Sequence, residues 1–345
     1  MNEIDFVVHI KHKKNIKILQ ITDFQPVDYS QQRYKGRINI DSKPFTENDL
    51  YTGLFYYIER LVKETNPDLI MVTGDNVYGE FDDNGSNMIR ISKYLDSLEI
   101  PWAPIFGNHD NESKKGVAWQ CKIFEESKNC LFKRRELTGN GNYNIGLFRD
   151  GKIEKIIYMV DSNGCGLAKN YSYYKPNYPD YNLDEKVETR IGIFPDQIKW
   201  IEESSKLIDS YYNYEITKFI SCHIPPDFVS KQAVLNKYIS KNDGLFDLDS
   251  LDNTINNDFG HTREHLIRST FNSLNLLEVL KKGKFNGMFV GHNHISTLSI
   301  LCDNFIRVTF GVKTGEFDYH DDIGGTLITL KQNGNFNIKH IIINR

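Results

Sequence analysis

Asp68-Leu69-Ile70-Met71-Val72-Thr73-Gly74-Asp75 is a short apolar run halted by a glycine and a carboxylate. Its apolar residues follow one another without alternation, which marks a strand buried on both faces. Upstream, Thr52 to Val62 carries apolar residues at intervals of three and four and runs out at Asn66-Pro67, the pattern of a helix and its terminator. Before that helix, Lys17-Ile18-Leu19-Gln20-Ile21-Thr22 reads as another short strand and ends at Asp23. Parallel strands joined by a crossover helix have their carboxyl ends at one edge of the sheet, so Asp23 and Asp75 should emerge side by side.

The same grammar recurs along the chain. A helix over 88–98 leads to a proline-flanked strand over 100–106 and then Gly107-Asn108-His109-Asp110. A helix opening at Phe194-Pro195 precedes the strand Lys218 to Cys222, which delivers His223. A helix over 274–282 precedes the strand Gly287 to Val290, which delivers Gly291-His292-Asn293-His294. Elsewhere the pattern turns antiparallel. Tyr143 to Phe148, the turn Asp150-Gly151 and Lys155 to Val160 make a hairpin, and the last forty residues are strand and turn around Asn333-Gly334. The fold class is α/β, expected as one domain over 1–345, with a polar, irregular insertion at about 227–268 that shapes a cleft.

Composition narrows the partners. With 42 basic and 46 acidic residues the net charge is −4, and no basic stripe argues for nucleic acid. The one dense basic cluster, Lys11 to Lys14, reads as a solvated strand end. Five scattered cysteines without a Cys-x-x-Cys pair suit a reduced, intracellular protein. No secretory signal opens the chain, and no apolar stretch approaches the roughly 18 residues that span a bilayer. The expectation is a soluble, cytoplasmic protein with no membrane or nucleic-acid partner; its oligomeric state is not legible.

Five strand ends therefore carry acidic, amide or imidazole groups: Asp23-Phe24-Gln25, Gly74 to Tyr78, Gly107 to Asp110, His223, and Gly291 to His294. Two ions roughly 3.5–4 Å apart can hold a phosphate, polarise its oxygens and supply a deprotonated water for in-line attack. Such a pair needs a bridging carboxylate, for which Asp75 is the natural candidate. It also needs neutral nitrogens and hard oxygens, available at His223, His292, His294, Asp23 and Asn108. Glycines 74, 107 and 291 allow close approach of the backbone.

In this order, the segments resemble the calcineurin-like metallophosphoesterase superfamily, whose blocks read Asp-x-His, Gly-Asp-x-x, Gly-Asn-His-Asp/Glu, a strand-borne His, and Gly-His-x-His. Four of the five are intact, spanning Asp23 to His294. The resemblance implies a four-layer α/β/β/α sandwich of two mixed β-sheets. It also implies a first metal on Asp23, Asp75 and His294, and a second on Asp75, Asn108, His223 and His292. His109 would be the proton donor to the leaving group, with Asp110 orienting it; Asn108 and His109 would also face substrate. The departure is Gln25, which stands where that pattern has a histidine. Purple acid phosphatases lack that histidine too and use a tyrosine in a Gly-Asp-x-x-Tyr block, matched here by Tyr78. That exchange implies Fe(III) at the first site with a divalent Fe, Zn or Mn at the second, with Mn/Mn or Zn/Zn pairs as alternatives. Met159 to Ser162, Phe194 to Trp200 and Ser221 to Pro226 are similar to a narrower group of single-domain purple acid phosphatase-like proteins, including plant type-29 proteins and a yeast protein phosphatase. That group tends to keep Asp-x-His and lack the tyrosine.

The remaining histidines read more blandly. His261 and His265, four apart, would share a face if helical and could take an extra ion, although a solvated or substrate-facing role is favoured. His320 is expected to reach the phosphate pocket, whereas His9, His12 and His340 are expected at the surface. The expected activity is that of an acid phosphatase-like phosphomonoesterase acting on a phosphoprotein or small metabolite. A phosphodiesterase for cyclic nucleotides or phospholipid headgroups, and a non-catalytic descendant, are the alternatives.

Overall fold

The structure of the protein, a computed structural model, describes residues 3–11, 15–31, 47–164, 191–238, 245–249, 251, 255–266, 274–316 and 322–343. Strands β1 (Phe6–His9) and β2 (Ile16–Ile21) are followed by helices α1 (Glu47–Thr52) and α2 (Leu54–Thr65). Then come β3 (Leu69–Thr73), α3 (Ser86–Ser97), β4 (Trp102–Ile105), α4 (Val117–Glu126) and the hairpin β5 (Asn142–Arg149) and β6 (Lys152–Val160). Helix α5 (Pro195–Tyr211), β7 (Thr217–Ser221), α6 (Asp227–Leu235) and the short strands β8 (Phe246–Asp247) and β9 (His261–Thr262) lead to α7 (Leu274–Lys282). Strands β10 (Phe285–Val290), β11 (Ser299–Cys302), β12 (Ile306–Phe310), β13 (Gly324–Leu330) and β14 (Phe336–Ile342) complete the series.

Two mixed sheets carry the architecture, ordered β1-β5-β6-β7-β10-β12-β11 and β14-β13-β2-β3-β4. Side-chain alternation shows how they stack. Ile157, Met159, Phe219 and Phe289 of the first sheet join one core with Ile18, Ile70 and Ile105 of the second. Their neighbours Ile156, Tyr158, Val160, Ile220, Met288 and Val290 point the other way, into a core completed by Ile198 and Ile201 of α5 and Val279 and Leu280 of α7. On the far side, Leu54, Phe55, Ile58 and Leu61 of α2 cover β2 and β13. The result is the α/β/β/α sandwich. Every residue of β3 is buried because its sheet is covered on both faces.

Local chemistry explains the boundaries. Asn66, in the left-handed region at φ 45°, donates its backbone N–H to Val62 O and ends α2 before Pro67. Asp150 and Gly151, at φ 51° and 84°, form the two-residue turn between β5 and β6. Pro195 starts α5, where Gln197 accepts from Phe194 N at 2.8 Å.

Some expectations need correcting. The segment expected to be irregular from 227 begins with α6, which buries Phe228, Val229 and Ala233, and includes the β8–β9 pair. Its polar residues hid an amphipathic helix. His261 lies on a strand, so no helix pairs it with His265. Helix α4 and strand β11 carried no clear periodic signal. No helix among the described residues is long and apolar enough to cross a membrane.

His340 is the most informative correction, because it is half-buried with both ring nitrogens engaged. Its Nε2 donates to Thr297 O at 2.9 Å, and its Nδ1 meets Thr326 Oγ1 at 2.9 Å. Thr326 Oγ1 already accepts from Val312 N, so its hydroxyl hydrogen is directed to Nδ1 and the ring is neutral. This ties β14, in one sheet, to the segment entering β11 in the other. Burial pushes the His340 pKa down to about 4. The unfolded chain, near 6.5, then binds the proton first, so this contribution is complete above pH 6.5 and is lost as pH falls toward 4. The difference in unfolding free energy between wild type and His340→Gln should shrink by about 3 kcal/mol between pH 6.5 and 4, measured by denaturant titration. A difference independent of pH would contradict this account.

Candidate metal centre

The carboxyl ends of β2, β3 and β4 in one sheet meet those of β7 and β10 in the other, where the loops of open α/β folds carry their chemistry. Asp23 follows β2, Asp75 follows β3, Asn108 follows β4, His223 follows β7, and His292 and His294 follow β10. Asp23, Asp75 and His292 sit at φ 53°, 51° and 71°, a left-handed conformation costing about 1–3 kcal/mol for each residue with a side chain. Strain of this kind persists where surrounding contacts over-determine it, and here it aims three side chains into one space.

Glycines make the approach possible. A Cβ at Gly107 would lie 2.1 Å from Asp75 Oδ1, one at Gly74 2.4 Å from His223 Nδ1, and one at Gly291 2.3 Å from Thr22 Oγ1. The three glycines singled out in the sequence are therefore where backbone meets site side chains.

Asp75 is the centre. Its Oδ1 accepts from His109 N at 2.9 Å, while its Oδ2 accepts from Gln25 Nε2 at 2.8 Å and lies 3.4 Å from His223 Nε2. His223 Nδ1 donates to Thr73 O at 2.8 Å, which leaves Nε2 facing the site, 3.2 Å from Asn108 Oδ1. The His292 ring stands 5.1 Å from that of His223, and its buried Nε2 has no hydrogen-bond partner. Asp23 Oδ2 accepts from Thr22 Oγ1 at 2.7 Å and from His292 N at 3.2 Å. Asp23 Oδ1 lies 3.4 Å from His294 Nε2 and is likewise buried without a hydrogen bond.

Two sets of donor atoms, each within 4.8 Å of one another, follow from this: Asp75, His223 and His292, and Asp23, Asp75 and His294. Ligands about 2.0–2.2 Å from a common ion lie roughly 3–4.4 Å apart, so both sets have the right span. They share Asp75, and the unpartnered Asp23 Oδ1 and His292 Nε2 are atoms that an ion would satisfy. The residues present fit two cations bridged by one carboxylate. Burial alone would raise the Asp75 pKa; the charges of His223 and His109 outweigh it and hold the group far below the carboxylate range. Burial together with the charge of His223 lowers His292 to about 3, so its imidazole is a neutral donor.

His109 is differently placed from expectation. Asp110 does not orient it: Asp110 accepts from Gly107 N at 2.7 Å, Val77 N at 3.0 Å and Asn76 Nδ2 at 3.1 Å, stitching the loops after β3 and β4 together. Glu112, fully buried, takes the orienting place with Oε1 2.9 Å from His109 Nδ1. Burial works against a charged His109, but Glu112 and Asp75 overcome it and raise the pKa to about 10. The one signal in the sequence was spacing, since residues three apart meet on the short helical turn Asp110–Glu112. Glu264, whose carboxylate accepts from Ile295 N at 2.8 Å beside His294, had no such signal. Burial raises its pKa, and its charge reaches Asp23 and His294.

Tyr78 lies in a hydrophobic cluster with Val27 and Phe81, its ring 4.4 Å from that of His109. His320 falls outside the described residues. His261 is grouped with Asp247 and Asp249, both exposed, in a separate set of possible donors. Because Asp75 belongs to both central sets, Asp75→Asn should reduce tightly bound transition metal from two equivalents per chain to none after dialysis, as measured by elemental analysis. Retention of one full equivalent would argue against a shared carboxylate.

The calcineurin-like phosphoesterase family model matches residues 16–296. Among curated relatives, "Probable inactive purple acid phosphatase 14" of Arabidopsis thaliana is 26% identical over 290 residues, covering 81% of this chain and 66% of its own length. "Probable inactive purple acid phosphatase 29" of the same plant is 24% identical over 328 residues, covering 88% of this chain and 72% of that protein. A solved structure described as GAP50, the anchor in the inner membrane complex of Plasmodium, superposes with a TM-score of 0.50 at 11% identity over 96% of this chain and 85% of that one, a likeness of fold. The family match extends over the whole run of strand ends from Asp23 to His294, and the chain belongs to the calcineurin-like phosphoesterase family.

Proposed function

We propose that this protein is a two-metal phosphomonoesterase acting on a phosphorylated protein or small metabolite. The observation that carries the reading is the His109–Glu112 pair standing on Asp75. A site kept only for binding has no need of a buried carboxylate 2.9 Å from an imidazole beside the shared ligand.

Asp23, Asp75 and His294 would hold one cation, and Asp75, Asn108, His223 and His292 the other. When bound, such a pair neutralises phosphoryl charge and makes a water nucleophilic at neutral pH. The remaining work falls to side chains. Asp75 Oδ1 anchors the His109 backbone N–H, so the acid is indexed to the carboxylate that joins both donor sets. Glu112 accepts at Nδ1 and leaves the Nε2 proton of His109 for the leaving-group oxygen. Thr73 O holds His223 Nδ1 and so turns Nε2 toward the site. Glu80, almost completely buried, adds negative charge that favours protonated His109.

Two other readings stay in competition. A phosphodiesterase, for cyclic nucleotides or phospholipid headgroups, would use the same donors. A non-catalytic role draws support from the printed names of the plant relatives and from the Gln25 amide on Asp75. Initial rates with an aryl phosphate and a bis-aryl phosphodiester, in the presence of Mn(II), Zn(II) or iron, separate them. We expect the monoester to be preferred; turnover of neither ester would sink the enzyme reading.

General acid catalysis matters most for poor leaving groups. His109→Ala should lower kcat for an alkyl phosphate by about 10²–10⁴, with a smaller loss for an aryl phosphate whose leaving group needs no proton. Glu112→Gln should show the same leaving-group bias at reduced size. Equal losses on both substrates would mean that the pair acts through structure rather than proton transfer.

A further inference from the structure

We infer that the side-chain oxygen of Gln25 completes the first cation set, Asp23, Asp75 and His294, and that Tyr78 does not. This rests on the two-cation reading above and decides which residue supplies the donor where the family pattern has a histidine.

Gln25 is held in place at both ends. It is 0% exposed, its backbone N–H reaches Asp75 O at 3.3 Å, and it adopts φ 39°, which glutamine rarely does. Its Nε2 donates to Asp75 Oδ2 at 2.8 Å. Asp75 Oδ1 is engaged by the His109 backbone, and Oδ2 has His223 on one flank and Gln25 on the other.

The other end of the amide is the telling atom. Gln25 Oε1 is buried and has no hydrogen-bond partner, so turning the amide breaks no bond at that end. Asp23 Oδ1, in the same cation set, shares that condition. A cation on Asp75 Oδ2 from the Gln25 side would repel the N–H donor and attract the amide oxygen. Half a turn about the terminal bond exchanges the two ends of the amide without moving its stem.

The ring of Tyr78 packs beside the acid rather than on Asp75. Its ring lies 4.4 Å from the His109 imidazole at an interplanar angle of 32°, and 5.2 Å from Phe81 at 85°. That placement makes it one wall of the pocket around the acid. An amide oxygen is a hard, neutral ligand. With two carboxylates and one imidazole it suits Mn(II) or a similar divalent ion better than the trivalent iron that a phenolate would favour.

The test is calorimetric titration of the chelator-treated protein with Mn(II). Wild type should bind two equivalents. Gln25→Ala should keep one site while the other weakens at least tenfold, the size expected when a donor at a metal site is lost. Gln25→Glu, which keeps an oxygen in place, should retain both, and Tyr78→Phe should leave both affinities unchanged. Melting curves confirm that each variant is folded. Unchanged binding in Gln25→Ala, or a wild type with fewer than two sites, overturns the inference. So does a visible charge-transfer band on Fe(III) loading that Tyr78→Phe removes. Two intact Mn(II) sites without turnover of any phosphate ester would defeat the proposed activity while leaving the role of Gln25 standing.

Discussion

One carboxylate organises the structure. Asp75 is fully buried where the ends of two sheets meet, and each of its oxygens has a separate duty. Oδ1 receives the backbone of His109 from the loop after β4, and Oδ2 faces His223 from the other sheet and Gln25 from the loop after β2. Loops from three strands of one sheet and one strand of the other thus converge on a single negatively charged group. A buried charge of this kind survives only if it is compensated by hydrogen bonds, cationic neighbours or bound ions.

The surroundings show what that compensation demands. Left-handed backbone at Asp23, Gln25, Asp75 and His292 is unfavourable residue by residue. So is the close approach that only a glycine permits at 74, 107 and 291. Unpartnered buried atoms at Asp23, Gln25 and His292 add to the cost. At this site left-handed backbone, glycine-only approaches and partnerless buried atoms occur together within one small volume. Such concentration is what a site optimised for ligand chemistry rather than for stability looks like.

Much of this was readable in one dimension. Apolar runs that end at Asp23 and Asp75, and at His223 and His292, predict parallel strands whose carboxyl ends share an edge within each sheet, because crossover connections leave them no other arrangement. The fold gathers Asp23, Asp75 and His294, and Asp75, His223 and His292, into two groups of possible donors. The failures were side-chain contacts. Asp110 follows His109 directly and looked like its partner, yet consecutive residues on a turn point apart, and Glu112 one turn later meets the ring. His340 sits in an alternating strand that reads as exposed, but the segment before β11 crosses over it. Helix α6 was hidden because its apolar face is short and its remaining residues are polar.

Gln25 shows where the division falls. The sequence alone established the α/β grammar, the family's ordered strand ends and the presence of an amide where an imidazole was expected, because strand burial and turn chemistry are properties of local residue patterns. Whether that amide or Tyr78 addresses Asp75 is a question of side-chain placement, and Gln25 lies on a loop 50 residues from Asp75 in the chain. Only the long-range pairing of β2, β3 and β4 side by side in one sheet sets those distances, and it brings Gln25 to the carboxylate and the ring of Tyr78 to His109.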